Sequence, residues 1–243
     1  MIFKKHITKY FSSNGRIDDL KRIEEAIKEH KKHFIIKTQS KLEKPERLLG
    51  ENGLLYIQRT LYRSQVIIEG VVLSLNNRNV LMAILGVRSH IEITGTLTYL
   101  HKRLKSFYAG NISYEDLDRS LYRLSLGGKV KDHSDMPDPI GVMDLIDSID
   151  DYYKKISGSK EKMFRVAYDN LSEFCHPNCF GLFMGSDVFP ETREVIYHKP
   201  GEINEENYWF VSLFLMSIAT TIPIYNNIFE MLEKNEVLPN IFR

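Results

Sequence analysis

Cysteine is scarce, with two in 243 residues. Cys175 and Cys179 lie four apart at the edge of a helical stretch, a poor disulfide framework that points to a reducing compartment. Charge of one sign is not in excess either. Lys and Arg number 33 against 32 Asp and Glu, so nothing global argues for a nucleic-acid partner. A Walker loop and a dinucleotide fingerprint are both absent from the sequence, which argues against nucleotide-driven chemistry through the standard motifs. The opening MIFKKHITKYF has no long apolar run and no small-residue cleavage site, so no signal peptide is expected and the cytoplasm is the expected location. Repeats and low-complexity tracts are missing as well.

What is present suits one sizeable core, or one core and a small appendage, since 43% of residues are hydrophobic and 11% aromatic. Charge is unevenly spread: residues 1–47 are lysine-rich, whereas 132–151 hold seven aspartates and no Lys or Arg. The one long uncharged run, Asn207 to Phe229, is long enough to span a bilayer. Asn207, Ser212, Ser217, Thr220, Thr221, Pro223, Asn226 and Asn227 interrupt it, and no basic cluster flanks it, so a helix buried by its own domain is expected and no membrane partner.

Along the chain, Ile17, Leu20, Ile23, Ile27 and Phe34 form a narrow apolar stripe on a charged helix, which either packs on the body or pairs with a second copy. A linker with Pro45, Gly50 and Gly53 follows, so residues 1–50 are read as a basic N-terminal helix and linker, and 51–243 as a bundle domain. Helices are predicted over 56–76 and 79–107, the latter apolar on every side through NVLMAILGV, as befits the middle of a bundle. A third runs over 113–125, with Ser113 as N-cap and Gly127-Gly128 beyond its end. The next opens with Asp138 as N-cap and Pro139 at its first position, and sets Asp144, Asp147 and Asp151 on a solvated face. A helix over 160–176 ends at Pro177. FGLFMG and REVIYHK then read as the strands of one hairpin near 180–199, with SDVFPET as the loop, and a last helix over 204–234 is kinked near Pro223. The expected fold is all-α: a helical bundle with one β-hairpin before a long C-terminal helix.

Two polar groupings stand out. On the 160–176 helix, Arg165, Asp169, Ser172 and His176 share an arc opposite Phe164, Ala167, Leu171 and Phe174. On the apolar bundle helix, Arg88 and Glu92 lie four apart, where a guanidinium must be paired or must serve a ligand. Either grouping also has a plain structural explanation: a solvent face ending in a histidine that suits a helix C-terminus, and a buried ion pair. Other motifs fall short. HIE at 90–92 with CHPNC at 175–179 resembles the zinc-deaminase signature only in part, because three residues separate the cysteines and the proline lies between them. Zinc on Cys175, Cys179 and His176 or His198 lacks a second Cys pair. No metal and no cofactor are expected, and Cys175 is read as an inert thiol.

VRSHIE, with Arg88-x-x-x-Glu92, and YDNLSEFCHP, with Tyr168-x-x-Leu171-Ser172-x-x-x-His176-Pro177, resemble a group of bacterial proteins of unknown function. More distantly the chain is similar to the HEPN superfamily, over roughly residues 55–235. That resemblance implies metal-independent RNA cleavage in toxin or anti-phage systems, at a dimeric site where an Arg and a His a few residues apart act on the phosphodiester. The histidine would move a proton at the ribose 2′-hydroxyl, and the arginine would stabilise charge on the phosphate. On this reading Arg88, Glu92, Ser172 and His176 form the catalytic pocket, RNA is the substrate, and the partners are a second copy through the N-terminal helix and an antitoxin or defence protein. The chain departs from the pattern at Asn170, six before His176, so the arginine would be Arg165 or Arg88. Arg193 and His198 match the spacing, but strand residues five apart face opposite ways. Two alternatives stay open: a catalytically silent interaction module, and a membrane-anchored protein through 207–229.

Overall fold

The computed structural model describes residues 2–41, 48–129, 136–158, 160–177, 179–198 and 208–242, without the side chains of 179 and 180. Within them the chain is a helical bundle. Its helices are α1 (Lys5–Ser13), α2 (Ile17–Lys32), α3 (Leu49–Asn76), α4 (Val80–Tyr108), α5 (Tyr114–Leu126), α6 (Val142–Ser157), α7 (Met163–Cys175), α8 (Cys179–Phe183) and α9 (Phe210–Asn235). Two antiparallel ribbons complete it, β2 (Ser186–Phe189) with β3 (Glu194–Tyr197), and β1 (Lys37–Gln39) with β4 (Asn240–Phe242).

Local chemistry sets several of these boundaries as expected. Ser113 accepts from the Asp116 amide at 3.1 Å to open α5, and Asn79 accepts from Met82 at 3.2 Å to open α4, each satisfying an amide that has no helical partner. Pro223 sits inside α9, and residues 204–207 of the predicted helix, like Pro45 of the linker, fall outside the described residues.

Other boundaries differ from the prediction. Asp138 and Pro139 do not open α6, which begins at Val142 behind Gly141. Their carbonyls instead accept from Arg123 at the end of α5, both at 2.9 Å, which holds this segment outside the helix. FGLFMG is not a strand. Its start lies in α8, because Gly181 lets the backbone press onto the His176 carbonyl, where an added Cβ would stand 2.3 Å from the oxygen. The first hairpin strand is therefore SDVF, from the predicted loop, and Arg193 turns the chain at φ 57°. The helix α1 and the β1–β4 ribbon have no counterpart in the prediction, being too short to show a period.

α4 is the hub, in contact with α3, α5, α6, α7 and α9. It runs antiparallel to α3 and α7, and parallel to α6 and α9, as the pairs Ser64–His90, Glu92–Tyr168, Lys102–Asp151 and Tyr108–Glu236 show. Its apolar half is buried at Val80, Ala83, Ile84 and Val87, although Leu81 and Met82 face out. The stripe on α2 packs on the body: Leu20, Ile23 and Ile27 join a core with Val71, Val87 and Phe214, so a dimer would need another face. A second apolar cluster surrounds Leu61, Leu97, Leu104, Leu121 and Ile228. Both α4 and α9 are long and apolar enough to cross a membrane, but about half of each apolar window is buried within the bundle (56% and 50%). An anchor through 207–229 would have to give up that packing.

Candidate functional site

The facing turns of α4 and α7 bring together three of the four candidate residues, and add Tyr168. Arg88 Nε donates to Ser172 Oγ at 3.0 Å, one of its Nη atoms donates to the Tyr168 hydroxyl, and the other lies 3.3 Å from Glu92 Oε1. The Tyr168 hydroxyl donates to Glu92 Oε1 at 2.7 Å, and the Ser172 hydroxyl donates to the Tyr168 carbonyl at 2.7 Å. The guanidinium carbon also lies 4.6 Å from the centroid of the Tyr168 ring, within cation–π range. The Arg88 and Glu92 side chains are 28% and 32% exposed, so the cluster sits at the edge of the bundle with one side toward solvent.

This environment holds protons in place. Burial raises the Tyr168 phenol well above its ordinary range, the Glu92 carboxylate that it bonds raises it further, and Arg88 opposes them. Tyr168 is thus a donor at neutral pH, unable to act as a base. Burial likewise raises the Cys175 thiol, with Arg88 lowering and Glu92 raising it, which disfavours the nucleophilic thiolate.

His176 stands outside the cluster. α7 ends at Cys175, and His176 takes an extended backbone with φ −90° and ψ 148°. Pro177 is the cause, since a residue before proline is driven out of the helical region. The His176 amide still donates to the Ser172 carbonyl at 3.2 Å, but its ring is exposed and forms no hydrogen bond or ion pair with any described residue. The other two candidate arginines lie elsewhere. Arg165 meets Asp147 at 3.3 Å and Asp169 at 3.8 Å, and Arg193 lies in the hairpin turn while His198 bonds Asp187 at 2.9 Å.

The start of α7 is fixed from α6. Asp150, 6% exposed, accepts from the Phe164 and Arg165 amides at 2.8 and 3.0 Å, capping α7 from another helix. Nothing local in the sequence signals that contact. Among the described residues no group of three or more His, Cys, Asp or Glu side chains is placed to hold a metal ion, and the Cys179 side chain required for the zinc reading lies outside them.

A second polar assembly, missed in the sequence, lies wholly inside. His30, Ser64, His90, Thr94, Ser217 and Thr221 are each 0% exposed and link α2, α3, α4 and α9 between the two apolar clusters. Chemistry orders the donors. The Ala26 carbonyl can only accept, so His30 Nδ1, 2.8 Å away, carries the proton and Nε2 accepts from Ser64 at 3.0 Å. Ser64 then accepts from His90 Nε2 at 2.8 Å, and His90 Nδ1 accepts from Ser217 at 2.7 Å. Ser217 Oγ accepts from Thr94 at 2.7 Å, while Thr221 donates to the Ser217 carbonyl at 3.0 Å. This order holds for two neutral imidazoles, the form that burial favours in both. Burial, reinforced by His30, lowers His90 to about 3. With His90 fully engaged here and Glu92 facing Tyr168, the two cannot form the deaminase pair that HIE resembles. The only sequence signal for this layer was polar residues at core positions, Ser217 and Thr221 among those that interrupt the apolar run.

No family model matches the chain, and no curated protein or solved structure matches it.

Proposed function

We propose that this protein is a helical interaction module of HEPN-like type, in which Arg88, Glu92, Tyr168 and Ser172 lock α7 onto α4 and do not cleave RNA. One observation carries this reading: every nitrogen of Arg88 has a partner within the chain, and His176 is not one of them. A guanidinium that stabilises a phosphate must have donors free to face it, and the histidine must reach the same atoms. Here three of the five N–H bonds at most are committed within the chain, all of them to α4 and α7, and the histidine is not beside the others.

The test is incubation of varied RNAs, in the presence of chelator, with the wild type, Arg88→Ala and His176→Ala. The expected result is no cleavage by any of them, with Arg88→Ala destabilised by about 1–3 kcal/mol in urea titrations and His176→Ala unchanged. Chelator-resistant cleavage by the wild type that folded His176→Ala and Arg88→Ala both lose would overturn the proposal.

The ribonuclease reading, with an antitoxin or defence partner, retains one supporting observation. His176 is the residue one turn beyond Ser172, and the Arg88–Glu92 pair keeps a side toward solvent. A second copy at that rim would have to complete the site, as the HEPN resemblance implies.

A further inference from the structure

A cleft of roughly 570 Å³ opens between the C-terminal halves of α4 and α6 and beside α9. It lies away from the Arg88 cluster: His101 is 13 positions further along α4, about 20 Å at 1.5 Å per residue. His101, Lys102 and Lys105 line it from α4, Tyr152 and Lys155 from α6, and Asn227 from α9.

Lysines in the last turns of α4 and α6 have an ordinary explanation, since both helices run the same way and their carbonyl ends meet here. Two such ends amount to about one negative charge in all. Three lysines exceed that. Asp151 is the only acidic residue in the lining, and Lys102 pairs with it at 2.7 Å. Lys105 and Lys155 have no ion-pair partner among the described residues.

His101 is the second observation, which helix ends do not explain. It is 5% exposed, its ring meets Tyr152 edge-on at 6.1 Å, and neither ring nitrogen has a hydrogen-bond partner among the described residues. Neither nitrogen is among the fully sealed, unpartnered atoms, so the ring keeps contact with the cleft, where water or a ligand completes it. Burial, then Lys105 and Lys155, lower it to about 4, so it is neutral at pH 7 and offers one N–H donor.

We propose that this cleft binds a phosphorylated small molecule of nucleotide size. The phosphate oxygens sit between the Lys105 and Lys155 ammonium groups and accept from the His101 N–H. The remainder of the ligand lies along Tyr152, in a volume typical of small-molecule sites. Binding here uses lysine side chains in place of the glycine-rich loop that the sequence lacks, and involves no bond breaking. A half-open cleft of this volume between three helices fits a small ligand better than a nucleic-acid strand, which would track a longer basic groove.

The experiment is calorimetric titration of the full chain with pyrophosphate, ADP, adenosine and a single-stranded oligoribonucleotide. Pyrophosphate and ADP are expected to bind and adenosine not to. Lys105→Gln and Lys155→Gln should each weaken binding at least roughly tenfold, as expected for loss of a charged hydrogen bond. In the wild type, the His101 imidazole resonances should shift on ADP addition, a readout that does not depend on a variant folding. Absence of saturable binding by ADP and pyrophosphate, or binding that leaves His101 unmoved, would overturn the proposal. Binding of the oligoribonucleotide that shifts the His101 resonances while ADP leaves them unmoved would overturn it in favour of RNA.

Discussion

Replacing His90 with glutamine should flatten the acid limb of the stability curve. In the folded chain His90 is fully buried and neutral, held to about 3 by burial and by nearby His30; unfolded, an imidazole titrates near 6.5. Below pH 6.5 the unfolded chain therefore binds the proton and the folded chain does not. Stability contributed by the neutral ring is complete above pH 6.5 and is lost as pH falls toward 3. The slope approaches about 1.4 kcal/mol per pH unit, which integrates to about 2 kcal/mol between pH 7 and pH 5. Glutamine keeps one donor and one acceptor and does not titrate. Urea unfolding at constant ionic strength across this range should show the wild type losing about 2 kcal/mol more than His90→Gln. His101, outside this network and present in both proteins, cancels in the difference. Parallel curves would refute the reasoning, since His90 would then titrate alike in both states. A glutamine variant of lower absolute stability would not, because the test lies in the shape.

Two further outcomes follow from packing. Asp150→Ala should cost about 1–2 kcal/mol by removing the cap on α7, with hydrogen-exchange protection lost first at the Phe164 and Arg165 amides; unchanged protection there would count against the cap. Gly95→Ala should lower the melting temperature although alanine is the better helix former. Its Cβ would stand 2.9 Å from the Leu145 carbonyl oxygen, an overpacking cost of about 1–3 kcal/mol against a propensity gain of about 1. A rise in melting temperature would refute it.

The features legible in the sequence are those with a local cause. The Ser113 cap, the burial of Val80, Ala83, Ile84 and Val87, and the end of α7 before Pro177 each follow from residues within a turn or two. Arg88, Glu92 and Ser172 could be nominated because polar groups on apolar helices require partners, and the structure supplies them to one another. His176 lies apart from them because the proline restriction turns its backbone out of the helix whose spacing would place it on the Ser172 face. Distant contacts left no local trace. Asp150 looks like any aspartate of an acidic stretch until α7 is set above it. Gly181 reads as part of a strand until the His176 carbonyl closes against it. His30 and His90, 60 positions apart in the chain, show nothing of the serine that joins them.

The buried polar layer also constrains how the helices can align. Greasy surfaces slide, because leucine against leucine is nearly as good one turn along. A slip of α9 past α4 by one turn, about 5.4 Å, would break the fixed donor order from Ala26 to Thr94 and strand groups in a dry interior at about 1–3 kcal/mol each. The layer thus works as a key cut for a single lock, sacrificing apolar area at the midpoint so that four helices have one register. Filling it with leucine and phenylalanine could raise stability while removing that selection.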